Sequence, residues 1–323
     1  MRRVVCREFA PPTALEIEEV PDLQAGAGQV VIDVEAAGVN FVDALFVRGK
    51  YQIKPQLPFT PGGEVGGVVS SVGDGVNGFT SGDRVSASCW MGGYARQVAV
   101  GPSNTYRLPE GVSFGVGATV MQSYATAVFA LTHRSNVTAG EWVLVLGAGG
   151  GVGRACVDAA RSLGARIIGV GSSEDKRTAA MEAGAEATID PTTEDVKVRA
   201  REISGGGVDV VCDPVGGDLA EPALRAMRVG GRFLVLGFAA GEIPRLPLNQ
   251  ILLSNRAVIG VDWGAWSMQN PDENRTLIEG VFADVGAGKL HPTEPQEVPL
   301  ENVSDVLSDI ENRRVTGKVV LVP

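Results

Sequence analysis

A cluster of glycines between an apolar segment and a helical pattern is the part of this 323-residue sequence best suited to chemistry. The apolar run Trp142–Leu146 leads into Gly147, and Gly150 and Gly153 follow at GxxGxxG spacing. Such a turn lets the backbone approach a ligand, and the helix that starts there presents unpaired N–H groups and the positive end of its dipole. The pattern therefore predicts a cradle for the pyrophosphate of a dinucleotide, with an ordinary strand–helix turn as the alternative.

The helix after the turn is predicted from the spacing of its apolar residues. They recur at the i, i+3, i+4, i+7 positions of one buried face, at Val152, Ala155, Cys156, Ala159, Ala160 and Leu163. Because a strand and a helix flank the glycine turn, it is more informative than an isolated glycine motif. The residues expected to bind the dinucleotide here are Gly147, Gly149, Gly150, Gly151, Val152 and Gly153.

The residues after the next predicted strand, Arg166–Val170, favour NADPH over NADH. A protein that prefers NAD usually has Asp or Glu at this point, about 20 residues after the glycine turn, to bind the ribose 2′-hydroxyl. Here the strand is followed by Gly171, Ser172 and Ser173, so no carboxylate repels a 2′-phosphate. The serines can donate hydrogen bonds and Lys176 can supply a charge, although a solvated helix-face lysine is the alternative. Glu174 and Asp175, just before Lys176, count against this preference, and a role as first-turn acids that complement a helix dipole is the alternative for them.

Composition and charge exclude several classes of function. With 28 basic against 38 acidic residues the net charge is −10, which predicts that nucleic acid is not a partner. No apolar run approaches the roughly 18 residues that a membrane span requires, and the N-terminal apolar segment is too short for a signal peptide. We therefore expect a cytoplasmic protein without membrane contact.

The cysteines and histidines do not form a pattern that binds metal. The four cysteines are scattered without a CxxC pair, and the two histidines lie far from each other and from any cysteine. A structural zinc site needs four convergent ligands, usually in closely spaced pairs. The sequence therefore predicts free thiols and no metal site, with both histidines in loops or at the surface.

Two patterns of predicted strands divide the chain. Up to about Leu108, glycine-rich turns separate short strands, as in a β-rich domain. These strands are Val30–Glu35, Val65–Val72, Asp83–Ala87 and Ala95–Val100. From about Val120, strands alternate with helices, as in a doubly wound parallel sheet. These strands are Trp142–Leu146, Arg166–Val170, Ala187–Ile189, Val208–Cys212, Arg232–Leu236 and Ala257–Val261. The strand-like Lys318–Val322 is too distant to join that sheet, so we expect the chain to return to the first domain.

Several motifs, taken in order along the whole chain, resemble the zinc-independent quinone oxidoreductase branch of the medium-chain dehydrogenase/reductase superfamily. They are AAGVNFVDALFVRGKY (36–51), LPFTPGGEVGGVV (57–69), GAGGGVG (147–153), DPVGG (213–217), VLGFAAGEIP (235–244) and TGKVVLV (316–322). The resemblance implies an α/β fold in which a GroES-like, β-rich catalytic domain contains an inserted Rossmann domain with a doubly wound parallel sheet. The expected boundaries are 1–119 and 263–323 for the catalytic domain and 120–262 for the NADP-binding domain.

Departures from the zinc alcohol dehydrogenases of the same superfamily indicate chemistry without a metal. Asn40 stands where those enzymes have a cysteine ligand, and Gly63 stands where they have a histidine, whereas Glu64 is retained. The cysteine-rich structural lobe is also missing. The resemblance thus implies catalysis without a metal Lewis acid.

By the same resemblance, Asn40, Asp43 and Tyr51 line the pocket over the nicotinamide. The amide of Asn40 would orient the ring or donate to a substrate oxygen, and Asp43 would hold the Asn40 loop in a structural or a catalytic role. Tyr51 would either pack as an aromatic or donate a proton, as a tyrosine at the matching place does in related enoyl-thioester reductases. Further positions expected at the cofactor are Thr126, Gly237, Phe238 and Trp263. Pro191 replaces a tyrosine that several quinone reductases place against the adenosine phosphate.

The resulting hypothesis is an NADPH-dependent enzyme that transfers hydride to a quinone or another activated acceptor, since such acceptors need no metal to polarise them. An enoyl-thioester reductase of the acryloyl-CoA type is the first alternative. Arg48, Lys50 and Lys54 near Tyr51 fit either a basic channel for carrier phosphates or a solvated loop. A non-catalytic NADPH-binding protein is the second. The apolar sixth strand, AVIGV, is expected at a sheet edge and, by resemblance, pairs with its copy in a homodimer.

Overall fold

The structure, a computed structural model, describes all 323 residues. The chain divides into two compact units, Met1–Met121 with Thr293–Pro323 and Gln122–Pro292. The last segment therefore returns to the first unit, which confirms the expectation drawn from Lys318–Val322.

The first segment consists of short strands and two helices. The strands are β1 (Arg2–Val5), β2 (Glu16–Glu19), β3 (Val30–Val39), β4 (Glu64–Val72), β5 (Arg84–Ser88), β6 (Gln97–Val100) and β7 (Thr105–Arg107). The helices are α1 (Phe41–Val47) and α2 (Phe114–Val120). Strand β3 continues beyond its predicted end at Glu35 because the small and apolar residues that follow, Ala36, Ala37 and Val39, are buried.

The second unit alternates strands and helices as the sequence predicts. Its strands are β8 (Trp142–Leu146), β9 (Arg166–Val170), β10 (Ala187–Ile189), β11 (Val208–Asp213), β12 (Met227–Val235) and β13 (Ala257–Gly260). Its helices are α3 (Thr126–Val128), α4 (Gly151–Ser162), α5 (Glu174–Glu182), α6 (Val196–Ile203), α7 (Ala220–Ala226), α8 (Leu248–Leu252), α9 (Trp263–Gln269) and α10 (Pro271–Gly286). On the predicted apolar face of α4, Ala155, Cys156, Ala159 and Ala160 are buried, whereas Val152 and Leu163 at its two ends are half-buried.

These strands form a six-stranded sheet in the order β10-β9-β8-β11-β12-β13, and every pairing is parallel. The doubly wound parallel sheet is thereby confirmed. The strand order reverses between β8 and β11, and ligands of such sheets bind outside the carboxyl ends of the strands at that point. Strand β13 lies at one edge, as expected for the sixth strand.

The chain then adds β14 (Gln296–Pro299), α11 (Val303–Glu311) and β15 (Val319–Val322) to the first unit. Its main sheet has seven strands in the order β14-β15-β3-β4-β5-β7, with β6 also paired to β3. All pairings except β14–β15 are antiparallel. Strand β3 is central, and its residues Val30 and Ile32 are completely buried in the core of this unit.

The boundary between the two units differs from the expectation at its second crossing. The sequence boundary of 262 assigned α9 and α10 to the catalytic domain, whereas the second unit extends to Pro292. The reason is packing and hydrogen bonding within the second unit. Helix α10 buries four apolar residues, Leu277, Ile278, Val281 and Phe282. Beyond that helix, the backbone N–H of His291 donates to the carboxylate of Asp158 on α4 at 2.5 Å.

The helical run Phe114–Arg134 also differs from expectation, because its 21 residues are long and apolar enough to cross a membrane. The sequence reading found no such run. Within the most apolar part, 78% of the residues are buried inside the protein. That degree of burial is typical of a helix in a protein core.

Candidate active site

The glycine turn after β8 has the backbone geometry that a dinucleotide cradle requires. Gly147 adopts φ +61°, which favours glycine, and Gly150 precedes the first residue of α4. A Cβ atom on Gly153 would lie 2.1 Å from the carbonyl oxygen of Gly147, and one on Gly149 would lie 2.6 Å from the Cα of Lys176. The glycines therefore keep the turn tight against both helices. The N–H groups at the start of α4 are the groups that suit a pyrophosphate.

The end of β9 carries no carboxylate on the three residues that follow, Gly171, Ser172 and Ser173. The hydroxyl oxygen of Ser173 caps α5 by accepting a hydrogen bond from the Lys176 N–H at 3.4 Å. Ser172 and Ser173 are exposed, and Lys176 is half-buried. Glu174 and Asp175 lie in the first turn of α5, as the dipole argument predicts.

An ion pair at the same strand end was missed from the sequence. The guanidinium of Arg177 donates to the carbonyl oxygen of Gly171 at 3.0 Å and pairs with Asp190 at 2.8 Å. The pKa of Asp190 is lowered, first by hydrogen bonds from Thr192 and then by the charge of Arg177. Nothing in the local sequence indicates this pair. Asp190 comes close to Arg177 because β10 pairs with β9 in the sheet.

The other residues predicted to contact the cofactor in the second unit lie mostly after strand ends. Gly237 and Phe238 follow β12, and Phe238 is exposed. Trp263 is the first residue of α9, and its indole N–H donates to the side chain of Asn274 at 2.9 Å. Any contact with a cofactor would therefore use the face of the ring and not the indole N–H. Thr126 differs from these, because it opens helix α3.

Asp213, at the end of β11, is a buried carboxylate. The sequence analysis named it only as part of the DPVGG motif and gave it no role. Its Oδ1 atom accepts hydrogen bonds from the N–H groups of Val215 and Gly216, each at 2.8 Å. Burial raises the pKa of Asp213, and these two bonds oppose the rise. Gly216 adopts φ +68°, a conformation that favours glycine. The carboxylate and this glycine together stabilise the turn after β11, which lies beside β8 in the sheet.

In the first unit, both the nitrogen and the oxygen of the Asn40 side-chain amide form hydrogen bonds. Its Nδ2 donates to Glu64 Oε1 at 3.2 Å, and its Oδ1 accepts a hydrogen bond from the ammonium of Lys318. An ammonium has only donors and a carboxylate only acceptors, so this pair of partners fixes which way the amide points. One N–H of the amide is left for a ligand.

Strand register explains why these three residues meet. Val39, which precedes Asn40, pairs with Val319 of β15, and this brings Lys318 beside the end of β3. On the other side of β3, Gly38 pairs with Glu64 at the start of β4. Asn40 and Glu64 are buried, the side chain of Lys318 is 13% exposed, and Lys318 Nζ lies 3.7 Å from Glu64 Oε1. Neither Lys318 nor the retained Glu64 was assigned a role from the sequence.

Asp43 lies beneath Asn40 in the first turn of α1. Its Oδ2 accepts hydrogen bonds from the backbone N–H of Asn40 at 2.8 Å and from the hydroxyl of Tyr94 at 2.9 Å. Burial raises the pKa of Asp43 to about 7, although both hydrogen bonds act in the opposite direction. Asp43 thus holds the Asn40 loop, and it does so through a group that titrates near neutral pH.

Tyr51, the third predicted catalytic residue, follows α1 and packs on Phe46 of that helix. The ring centroids are 4.7 Å apart and the rings are tilted by 58°. Phe46 is buried and contacts Trp90 edge-on at 5.9 Å. The packing interpretation of Tyr51 is therefore observed, and its hydroxyl remains a chemically suitable proton donor.

No group of three or more His, Cys, Asp or Glu side chains is arranged to hold a metal ion. The carboxylate of Glu64 instead has the ammonium of Lys318 beside it. The four cysteines are free thiols, as predicted.

Two family models match the sequence: an alcohol dehydrogenase GroES-like domain over residues 26–133, and a zinc-binding dehydrogenase domain over residues 151–281. The quinone oxidoreductase-like protein 2 homolog of Nematostella vectensis is 37% identical over 99% of this chain and 88% of its own length. The quinone oxidoreductase of Rattus norvegicus is 33% identical over 100% of this chain and 98% of its own length.

Solved structures agree with these relatives. A probable oxidoreductase from Mycobacterium abscessus has a TM-score of 0.90 and 36% identity, and the match covers 100% of this chain and 99% of that one. Escherichia coli quinone oxidoreductase complexed with NADPH has a TM-score of 0.91 and 26% identity, with 100% of both chains covered. This chain is therefore an oxidoreductase that belongs to the medium-chain dehydrogenase/reductase superfamily, in its quinone oxidoreductase branch.

Proposed function

We propose that this protein reduces quinones, with NADPH as the reductant. The observation that carries the proposal is the fixed orientation of the Asn40 amide. Its Nδ2 donates one hydrogen bond to Glu64 and its Oδ1 accepts one from Lys318, so the second N–H points in a fixed direction. A donor held in advance can stabilise charge on an acceptor oxygen without reorganising during the reaction. Bound NADPH would supply the hydride, and a quinone is electrophilic enough to accept it without a metal.

The roles of the other two residues follow from their positions. Asp43 keeps the backbone of Asn40 in place, because it binds that N–H and is itself held by Tyr94. Tyr51 supplies an aromatic surface and a hydroxyl proton. A reduced quinone can also take its proton from water, so quinone turnover depends on the Tyr51 hydroxyl less than the reduction of an enoyl thioester does.

The proposed preference for NADPH rests on the end of β9. Ser172 and Ser173 are exposed there, and the amino group of Lys176 provides a nearby charge. Asp190, which follows the neighbouring strand β10, has its charge balanced by Arg177 at 2.8 Å. Donors to a 2′-phosphate are therefore present at this strand end, and the first-turn carboxylates of Glu174 and Asp175 are the charges that oppose it.

The quinone proposal is favoured over an enoyl-thioester reductase by the state of Arg48. Its guanidinium makes two hydrogen bonds of 2.8 Å to the carboxylate of Glu311 on α11. Since that charge is neutralised, only the exposed Lys50 and Lys54 remain from the basic channel that carrier phosphates would require. The non-catalytic alternative does not explain why the Asn40 side chain is held in one orientation or why Asp43 binds the backbone N–H of Asn40.

A homodimer built through β13 is the proposed assembly. This edge strand has an exposed Val258. Just before it, Leu248 and Leu252 of α8 and the next residue, Leu253, are exposed to 77%, 76% and 76%. An exposed apolar edge invites pairing with a second copy, and a two-fold axis would make one six-stranded sheet continuous with its mate. Sedimentation should give about twice the 33.6 kDa chain mass. A cytoplasmic location stays a prediction, which cell fractionation can test.

The experiment that tests the function is an NADPH-oxidation screen with quinones and enoyl thioesters side by side. Wild-type protein should oxidise NADPH with 1,4-naphthoquinone, and Tyr51→Phe should retain most of that rate. Turnover of crotonyl-CoA without quinone turnover would replace the proposal with the thioester reductase. Measurable NADPH binding with no turnover of any acceptor would instead support a non-catalytic protein.

A further inference from the structure

Trp90 has a backbone conformation that is rare for its residue type. It follows β5 and adopts φ +61°, and the N–H of Met91 donates to the carbonyl oxygen of Cys89 at 2.6 Å. A hydrogen bond that spans a single residue defines a γ-turn, and a positive φ at the central residue makes it the rarer, strained form. Strained residues of this kind persist where the surroundings hold them, and they cluster at functional sites.

The surroundings of Trp90 do hold it. On one side, the N–H of Cys89 donates to the carbonyl oxygen of Gly63 at 2.9 Å. On the other side, the N–H of Gly92 donates to the carbonyl oxygen of Thr60 at 2.8 Å. Both acceptors belong to the segment that leads directly into Glu64, so the γ-turn is attached to the strand that supports Asn40.

Trp90 is 49% exposed although hydrogen bonds hold the backbone on both sides of it. Its ring contacts the buried Phe46 edge-on at 5.9 Å, and Phe46 in turn packs against Tyr51 at 4.7 Å. The three rings form a row, with Phe46 as its base and Trp90 and Tyr51 reaching the surface. The exposed parts of these rings offer surfaces on which a planar aromatic ring can stack.

The aromatic row is built on the elements that carry the Asn40 site. Asn40 precedes α1, Phe46 lies on α1, and Tyr51 follows it. Ser88, at the end of β5, pairs with Glu64 across the sheet, and Trp90 comes two residues later along the chain. The row is therefore attached to the same helix and the same strand ends that position Asn40.

We propose that Trp90 and Tyr51 form a stacking subsite for the planar ring of the acceptor, which selects fused-ring quinones over small acceptors without a ring. The inference rests on the proposed quinone reduction and adds the class of quinone. Stacking of an aromatic pair adds a gain in affinity of roughly two- to twelvefold beyond burial. The neighbouring thiol of Cys89 suits this ligand, because burial raises its pKa and keeps it in the protonated form that does not add to quinones.

The test separates ring binding from turnover. Binding of 2,3-dimethyl-1,4-naphthoquinone, whose ring has no free position for thiol addition, is measured by calorimetry without NADPH for wild type, Trp90→Phe and Trp90→Leu. We expect Trp90→Leu to weaken binding about tenfold and Trp90→Phe to weaken it by less, because phenylalanine keeps a ring. In turnover, Trp90→Leu should raise the KM for the naphthoquinone and leave the KM for methyl vinyl ketone and the Kd for NADPH unchanged.

Labelling of the wild-type protein covers the case in which Trp90→Leu does not fold, because it needs only the more conservative Trp90→Phe for assignment. With 5-fluorotryptophan in place of the four tryptophans, the resonance of Trp90, assigned from Trp90→Phe, should shift when the quinone binds. Equal quinone affinity of wild type and Trp90→Leu, or an unshifted Trp90 resonance at saturation, overturns the subsite even if quinones are reduced. Because the binding measurement needs no NADPH, failure of quinone turnover alone leaves a distinct result: the ring binds at Trp90 and the proposed function is wrong.

Discussion

The ammonium of Lys318 donates a hydrogen bond to the side-chain oxygen of Asn40, although the two residues are 278 positions apart in the sequence. With Glu64 on the opposite side of the amide, this contact determines the direction of the one N–H that Asn40 can offer. Lys318 acts through Asn40 and is thus a positioning residue.

Replacement of Lys318 by methionine should lower both stability and activity. The change leaves the buried carboxylate of Glu64 without its ammonium neighbour, which costs about 3 kcal/mol when a buried pair is broken. It also frees the Asn40 amide to rotate, so kcat/KM for naphthoquinone should fall at least about tenfold, mainly in kcat. Lys318→Arg should restore part of kcat. Urea unfolding and steady-state kinetics measure the two effects.

A matched control is Lys289→Met, which removes an exposed lysine paired with Asp284 at 2.8 Å. Exposed pairs contribute roughly 0–1 kcal/mol, so stability and kcat should stay close to wild type. Equal losses in the two variants, or an unchanged kcat in Lys318→Met, would contradict the positioning role.

The pKa of Asp43 predicts a specific dependence of stability on pH. Burial raises this pKa from 3.8 to about 7, so between these values the folded protein binds a proton that the unfolded chain releases. The contribution of Asp43 to the free energy of unfolding is therefore fully present below pH 4 and is lost as pH rises through 7. The shift corresponds to a change of up to about 4 kcal/mol.

Asp43→Asn provides the comparison, because asparagine keeps an acceptor for Asn40 and Tyr94 but does not titrate. Unfolding free energies at several values from pH 4 to pH 8 should show a smaller decline in the variant than in wild type. Parallel curves for the two proteins would show that Asp43 does not titrate in this range.

Gly149→Ala should damage the dinucleotide cradle. An added Cβ would lie 2.6 Å from the backbone of Lys176, so the turn and α5 must move apart. We expect a lower melting temperature and at least about tenfold weaker NADPH binding, since small displacements of a positioned ligand have large effects. Gly280→Ala is the control: a Cβ there meets no atom within 4 Å, and the change should stabilise α10 by about 0.5–1 kcal/mol. Unchanged NADPH affinity in Gly149→Ala would argue against a cradle at this turn.

The cofactor preference is tested by introducing a carboxylate at the end of β9. Wild-type protein should bind NADPH more tightly than NADH, and Ser172→Asp should reduce that ratio about tenfold because the new charge repels a 2′-phosphate. Thr178→Asp, at an exposed position on α5, adds the same charge elsewhere and should leave the ratio nearly unchanged. Equal dissociation constants of wild type for NADPH and NADH would refute the preference.

Local sequence patterns were sufficient for the parallel sheet but not for long-range contacts. Strands β8, β9 and β10 have the predicted bounds, because each is an apolar run that ends in glycine or a turn. Strand β12 instead begins at Met227, five residues before the predicted Arg232, because Met227 is buried although Arg228 and Val229 are exposed. The residue pattern could not show this.

The candidate site divides in the same way. The glycine turn and the serines after β9 were recognised because neighbouring residues in the sequence form them. Lys318 and the Arg177–Asp190 pair were missed, because only the register of paired strands brings their members together. The assignment of α10 to the second unit was missed for a related reason. The apolar face of an amphipathic helix shows that it packs on a core, but it does not show on which of the two cores.

The central claim is that this chain reduces an activated quinone with NADPH and without a metal. Protein dialysed against EDTA should be assayed for NADPH oxidation with 1,4-naphthoquinone and with crotonyl-CoA, before and after addition of zinc. We predict that quinone-dependent oxidation survives dialysis undiminished, exceeds oxidation with the thioester, and does not respond to zinc. Loss of quinone turnover after dialysis with recovery on zinc addition, or turnover of the thioester alone, would contradict the claim.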